Sequence, residues 1–398
     1  MKGGSKKKLI ANIIITVAVF GFAAYYLTRS GVVTAESIRS IEFTEYLAVL
    51  AFFGLGIFLY ALTDFLTYRT FTRNMPLSKC VMNTLAGNLG SNITPYKSAH
   101  YPLMAYYRYS AGIDGAEAVT GLIKCQIIYS ITSVCVYTVL LTALAIAGTR
   151  IVFEGVSVPL YLVVLVGFAF HAAVLAGILI LSFCVPLQKK ALLFWGKIRV
   201  KLKKEQSAEE YAAKKGEWFK EYRTQIKLIF RSFARYLPAC GVYFVHMFVW
   251  GSVQYISYLV LSNARFSISD MFSFYTLNLA SAYITNIVPV PGGVGTAEVM
   301  FSLIYASVIP ESMIGSVLIL WRVGTYYAVI VIEAIAVPAA LAVNRRKYGG
   351  LGANAAKTPP AESPADITGP GVAQIPPEKA GEQQAGDTLP PEEKAAPQ

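Results

Sequence analysis

Residues 286–298 read Asn-Ile-Val-Pro-Val-Pro-Gly-Gly-Val-Gly-Thr-Ala-Glu and lie inside a largely apolar region running from about Ile268 to Ala342. A helix does not run through them undisturbed. Pro289 and Pro291 lack the backbone N–H and clash with the preceding turn. Gly292, Gly293 and Gly295 add conformational freedom. In hydrocarbon each freed backbone polar group costs several kcal/mol, so such a break survives only inside protein or beside a cavity. A break carrying a carboxylate, Glu298, is a candidate binding site.

The setting is a membrane. The chain is 55% hydrophobic and 15% charged, with a mean hydropathy of +0.51. That composition excludes an ordinary soluble protein and indicates a polytopic one. The formal charge of +12 is uneven: residues 187–235 hold fourteen Lys/Arg against five Glu, and the tail after Gly352 holds three Lys against seven acids. The basic excess reads as cytoplasmic loops facing anionic inner-leaflet lipid. A nucleic-acid partner is not expected, because no soluble domain presents the charge. Cys80, Cys125, Cys135, Cys184 and Cys240 have no metal-ligand spacing and read as reduced, small core residues. The three histidines form no zinc motif, so neither metal nor cofactor is expected.

Six full spans are expected. Leu9–Leu27 is an uncleaved signal anchor behind Lys2, Lys6, Lys7 and Lys8. Tyr46–Leu66 follows, with Asp64 expected at the interface rather than in a site. Ala116–Gly148, with Lys124 as a snorkelling cation, and Val156–Val185 are joined by a short outer loop. Tyr236–Ser262 and Met313–Val343 complete the set; His171 and His246 are expected as satisfied interior residues, and Glu333 has no evident partner. Within the basic loop, Trp218, Phe219, Tyr222, Ile226, Phe230 and Phe233 recur every three to four residues, which predicts an amphipathic helix on the membrane surface. Nine of the nineteen prolines follow Lys357, so 349–398 reads as a disordered cytoplasmic tail attached to a membrane domain at 1–348.

Two segments remain. Residues 80–95, Cys-Val-Met-Asn-Thr-Leu-Ala-Gly-Asn-Leu-Gly-Ser-Asn-Ile-Thr-Pro, are too polar to face lipid, and the chain breaks again before a short arm with Arg108. This reads as a re-entrant hairpin entered from the cytoplasm. Ile268–Val288 with the short arm Ala297–Ile309 reads as a second, entered from outside. The fold class is thus all-α, with each half ordered span, span, hairpin, span. An odd number of crossings per half inverts the second relative to the first, the usual plan of secondary transporters. Both termini fall inside.

Ser91-Asn92-Ile93-Thr94-Pro95-Tyr96 with Tyr101-Pro102, and Pro289 through Glu298 with Leu320-Trp321-Arg322 and Tyr326-Tyr327, resemble the two signatures of a known family. It is the lysylphosphatidylglycerol synthase transmembrane region, the flippase-like part of the multiple peptide resistance factors. The likeness covers about residues 10–345; Lys97, Ala99 and His100 depart from the small or uncharged residues common in relatives. The resemblance implies a bacterial plasma-membrane protein that moves an aminoacylated phospholipid, typically lysylphosphatidylglycerol, from inner to outer leaflet. Such lipid underlies resistance to cationic antimicrobial peptides. Full-length relatives make it with a separate cytosolic domain, for which the basic loop and the tail are too small. The alternatives are a phosphatidylglycerol lysyltransferase or other lipid-linked transferase, and a non-transporting membrane partner. A homo-oligomer is left open.

The expected substrate contacts are Asn88, Asn92, Thr94, Pro95, Lys97 and His100 from the first break, and Pro289, Pro291, Gly292, Gly293, Glu298 and Arg322 from the second. No catalytic residue is identified. An Arg at a helix centre costs about 2.5–3.5 kcal/mol on insertion scales, so Arg322 should be paired, with Glu298, with broken-helix carbonyls or with a lipid phosphate. Glu298 could instead attract a lysyl ammonium. Asn88, Asn92 and Thr94 either meet the headgroup or satisfy freed backbone.

Overall fold

The computed structural model describes residues 31–71, 75–148, 150–153, 156–201 and 207–348, with a few positions between 21 and 29. Almost everything described is helix. A short helix α1 (Ala35–Arg39), capped by Thr34, leads into the first long one, α2 (Phe43–Tyr68). Helices α3 (Leu77–Ile93) and α4 (His100–Ser110) flank the first break. Helix α5 (Gly115–Ala147) and α6 (Leu160–Phe183) are joined by strands β1 (Arg150–Phe153) and β2 (Val156–Pro159), an antiparallel pair where a plain loop is expected from sequence.

Among the described residues four helices are long and apolar enough to cross a membrane: Phe43–Tyr68, Glu117–Ala147, Leu160–Ile180 and Glu311–Tyr348. In their apolar windows only 12–33% of the residues are buried, so most side chains face outward, as a lipid surroundings requires and water would penalise. A fifth candidate is the pair α9 (Leu237–Gly251) and α10 (Val253–Ser262). It bends by 48° at Ser252, within the span expected for 236–262. The anchor Leu9–Leu27 and the tail 349–398 fall outside the described residues, save a few anchor positions.

The basic block holds two helices rather than one. α7 (Val185–Lys201) packs against α8 (Ala208–Arg231). On α8, Ile226 and Ile229 are sealed against Ile127 and Ile128 of α5 and Ala239 of α9. This part of the amphipathic face therefore lies on protein, which corrects the expectation of a helix resting on lipid. Two cysteine positions also depart from expectation: all five thiols are free, but Cys135 and Cys184 are exposed on outward faces.

The second break lies between α11 (Ile268–Ile287) and α12 (Thr296–Tyr305). The chain ends its described part in one long rod. This consists of α13 (Glu311–Arg322), a π-turn at Val323–Tyr327, and α14 (Ala328–Tyr348). At 1.5 Å per residue, α4 and α12 are each only about 15 Å long, half of a hydrocarbon core. Three buried clusters hold these short pieces. Phe274, Phe301, Tyr305, Val317 and Leu318 join α11, α12 and α13. Val49, Phe53, Leu320 and Val329 fix the rod to α2. Ala86, Leu89, Tyr107 and Val337 fix α3 and α4 to α14.

Candidate functional site

At the first break α3 stops because Thr94 is extended, at φ −127° and ψ 144°, ahead of Pro95. Tyr96 and Lys97 then both adopt φ 54°. Left-handed backbone costs a non-glycine residue about 1–2 kcal/mol, so the bend must be held from outside. Thr94 holds it: its hydroxyl donates to the Gly90 carbonyl at 2.6 Å and accepts the Ala99 N–H at 3.0 Å. His100 adds a second clamp, with Nδ1 2.9 Å from the Gly87 carbonyl and 2.9 Å from Ser91 Oγ. The returning arm lies so close that a Cβ on Gly90 would sit 2.5 Å from the Ala99 carbonyl oxygen. Thr94 and His100 Nδ1 are therefore used in tying the hairpin together. Tyr96 and Lys97 are exposed at its tip and Pro95 is half-buried.

The second break is built from glycine. Gly292, Gly293 and Gly295 all have positive φ, and a Cβ on Gly292 would strike the Tyr326 ring at 2.2 Å. Glu298, in the first turn of α12, accepts the Gly295 N–H at 2.7 Å through Oε2, where a negative charge also complements the helix dipole. Its Oε1 receives Arg322 Nε at 2.6 Å and the Tyr327 hydroxyl at 3.1 Å. Of the partners expected for Arg322 from sequence, Glu298 is the one it meets. Glu298 thus accepts three hydrogen bonds, two at Oε1 and one at Oε2. Pro289 is exposed beside the break and Pro291 is half-buried.

Arg322 itself is 6% exposed. Its guanidinium carbon lies 4.7 Å from the Tyr326 ring centroid, 5.3 Å from Trp321 and 5.9 Å from Tyr327. Such cation–π contacts contribute about 2 kcal/mol when desolvated. They give no hydrogen-bond acceptor, however, and Nη2 is buried without one. A buried guanidinium donor with nothing to bond costs about 1–3 kcal/mol or more. An anionic oxygen reaching it would recover that.

The two breaks touch. The turn at Pro95–Lys97 contacts the turn at Pro291–Gly293, which also contacts α3. The Tyr326 hydroxyl donates to the Asn92 carbonyl at 3.4 Å across the seam. Asn88 and Asn92 stand four apart, hence on one face of α3. Their amides donate to Glu333 Oε1 at 2.7 Å and Oε2 at 3.2 Å. Glu333 is fully buried. Sequence reading left it without a partner, because the partners lie about 240 residues away; the four-residue Asn spacing was the available signal. Enclosing an ionised carboxylate costs several kcal/mol. Two hydrogen bonds to a charged acceptor return about 1.5–3 kcal/mol each. The opposing quantities are of similar size.

A second ion pair sits in the first half. Asp64 and Arg108, both fully buried, meet at 2.8 Å. Arg108 also donates to the Tyr68 hydroxyl at 2.6 Å, and Asp64 accepts from Asn83 at 3.2 Å and from Tyr129. This corrects the interfacial placement expected for Asp64. Lys124 is likewise 4% exposed with its ammonium 3.9 Å from the Phe71 ring centroid, not snorkelling. His246 is buried on the Gly56 carbonyl and His171 is half-buried on that of Gly167, as satisfied interior residues. No cluster of His, Cys, Asp or Glu suited to a metal occurs among the described residues.

Comparison with known proteins gives one positive finding. The family model described as the lysylphosphatidylglycerol synthase TM region matches residues 9–332. No curated protein matches the chain.

Proposed function

Given that the chain belongs to the lysylphosphatidylglycerol synthase transmembrane-region family and is a multi-pass membrane protein, we propose that it translocates a phospholipid with a charged headgroup between leaflets. Aminoacylated phosphatidylglycerol, such as lysylphosphatidylglycerol, is the cargo that suits the family. The observation carrying this reading is the contact between two helix breaks beside a buried arginine with a donor to spare. Broken helices meeting at a substrate site are how transporters bring backbone dipoles and charge to the middle of a bilayer.

In this reading the two broken units re-enter from opposite sides of a bacterial plasma membrane, as halves of an inverted repeat with both termini inside. The lipid phosphate binds Arg322 Nη2, while Glu298 and the three aromatic rings keep the guanidinium aimed at the seam. Acyl chains remain in the bilayer. The turns at Pro95–Lys97 and Pro291–Gly293 separate in turn, exposing the headgroup to one side and then the other. Lys97, exposed on the first turn, offers a cation at that mouth. The basic helices α7 and α8 face anionic inner-leaflet lipid.

The test is reconstitution in vesicles of phosphatidylglycerol and phosphatidylethanolamine containing fluorescent lysylphosphatidylglycerol, read by quenching from outside. Wild type should speed equilibration between leaflets, and Arg322→Gln should lose that gain while staying folded. Equal leakage with wild type and empty vesicles would reject translocation. Lysyl transfer from charged tRNA to phosphatidylglycerol, assayed on the same preparation, would favour synthesis instead.

A further inference from the structure

Glu333 has no part in the phosphate site, and it is the first residue beyond the family match. It is a fully buried carboxylate at the middle of a membrane rod, and its hydrogen-bond partners are two neutral amides on the first broken unit. Among the described residues no Lys, Arg or His pairs with it. Intramembrane acids of this kind mark proton and ion pathways.

The groups around it are few. On α3 the nearest are Asn88 and Asn92. From the π-turn comes Tyr326, whose hydroxyl is already bonded to Asn92. Beyond that ring Arg322 is committed to Glu298. On α4, Tyr107 packs with Val337 one turn along the rod, His100 is bonded back to α3, and Tyr106 bonds Arg345 at the rod's basic end. None supplies a permanent positive charge to Glu333.

We infer that Glu333 is a proton-binding site whose occupancy is tied to the position of the first broken unit, so that translocation is coupled to proton movement. This rests on the translocator reading for its consequence but not for its chemistry. When α3 closes on α14, the carboxyl group is sealed from water together with the proton it holds. When α3 withdraws, Asn88 and Asn92 leave, water reaches the group and the proton departs as hydronium, leaving the carboxylate. The next closure takes a proton from whichever side is then open. The two asparagines are the lever, since they stand directly before the Thr94–Lys97 break and move with it.

Two measurements decide the matter. In vesicles of phosphatidylglycerol and phosphatidylethanolamine carrying fluorescent phosphatidylglycerol or lysylphosphatidylglycerol, an imposed pH gradient should change the wild-type rate by about fivefold or more between its two orientations. Glu333→Gln, a neutral isostere, should give one rate for both. A wild type that translocates regardless of the gradient, or a variant that keeps the dependence, overturns the inference. The second measurement needs no transport. Infrared difference titration of purified protein should reveal a protonated-carboxyl band that Glu333→Gln lacks. Asn92→Ala, which removes a donor to the charged form, should make that band persist to higher pH. A wild type without the band across the neutral range overturns the proton site, and Asn92→Ala supplies the answer should Glu333→Gln not fold. If the band behaves as stated but no lipid moves, the translocator reading fails and the proton site stands.

Discussion

Each half of the molecule buries one arginine against one carboxylate, and the two pairs differ in how completely they are closed. Asp64–Arg108 is 0% exposed on both sides and is wrapped by Asn83, Tyr68 and Tyr129. The Arg322 and Glu298 side chains are 7% and 9% exposed, and the guanidinium is faced by three aromatic rings where Arg108 has Tyr68. In the first pair a broken unit is bolted to the span before it, α2. In the second, a broken unit is tied to the span after it, and the tie lies beside the seam. The contrast teaches that a buried charge pair is not a site by virtue of burial. Each pair leaves one guanidinium nitrogen buried without an acceptor, Arg108 Nε and Arg322 Nη2, but the second stands on the rod whose Tyr326 bonds across the seam where the breaks meet.

The sharpest way to break that contrast is Asp64→Ala. It leaves Arg108 charged, enclosed and unpaired, and should cost about 3–5 kcal/mol, seen as loss of monodisperse protein or a large fall in Tm in detergent. Glu298→Ala should cost less, about 2 kcal/mol, because Arg322 keeps the three rings. The same thermal assay checks the order, and equal losses would erase the distinction between joint and site. Thr94→Val removes both hydrogen bonds that hold the first break and should cost about 1–3 kcal/mol in thermal unfolding. Tyr326→Phe loses only a long 3.4 Å bond across the seam. It should lower stability by under about 1 kcal/mol, with any effect concentrated in the translocation rate.

The helix breaks were legible because Pro and Gly act locally, and the apolar rods because length and hydropathy act locally too. The Arg322–Glu298 pair was legible since two charges stand on consecutive helices of an apolar region. What escaped depends on distant packing. Asp64 finds Arg108 across 44 residues, and Glu333 finds Asn88 across 245. The bend after Gly251 carried a weak signal, a Gly-Ser pair, which is a known place for helices to kink. The burial of Ile226 and Ile229 was invisible because an apolar helix face reads alike whether it covers lipid or protein.

The π-turn at Val323–Tyr327 has a geometric consequence for the whole rod. Such a turn carries one residue more than an α-helix would use, and each residue advances a helix by about 100°. Everything downstream is therefore screwed round by roughly that angle relative to α13. Arg322, above the insertion, points to α12, while Glu333, below it, meets α3. One extra residue thus lets a single rod address both halves of the protein at once, with opposite charges on different bearings.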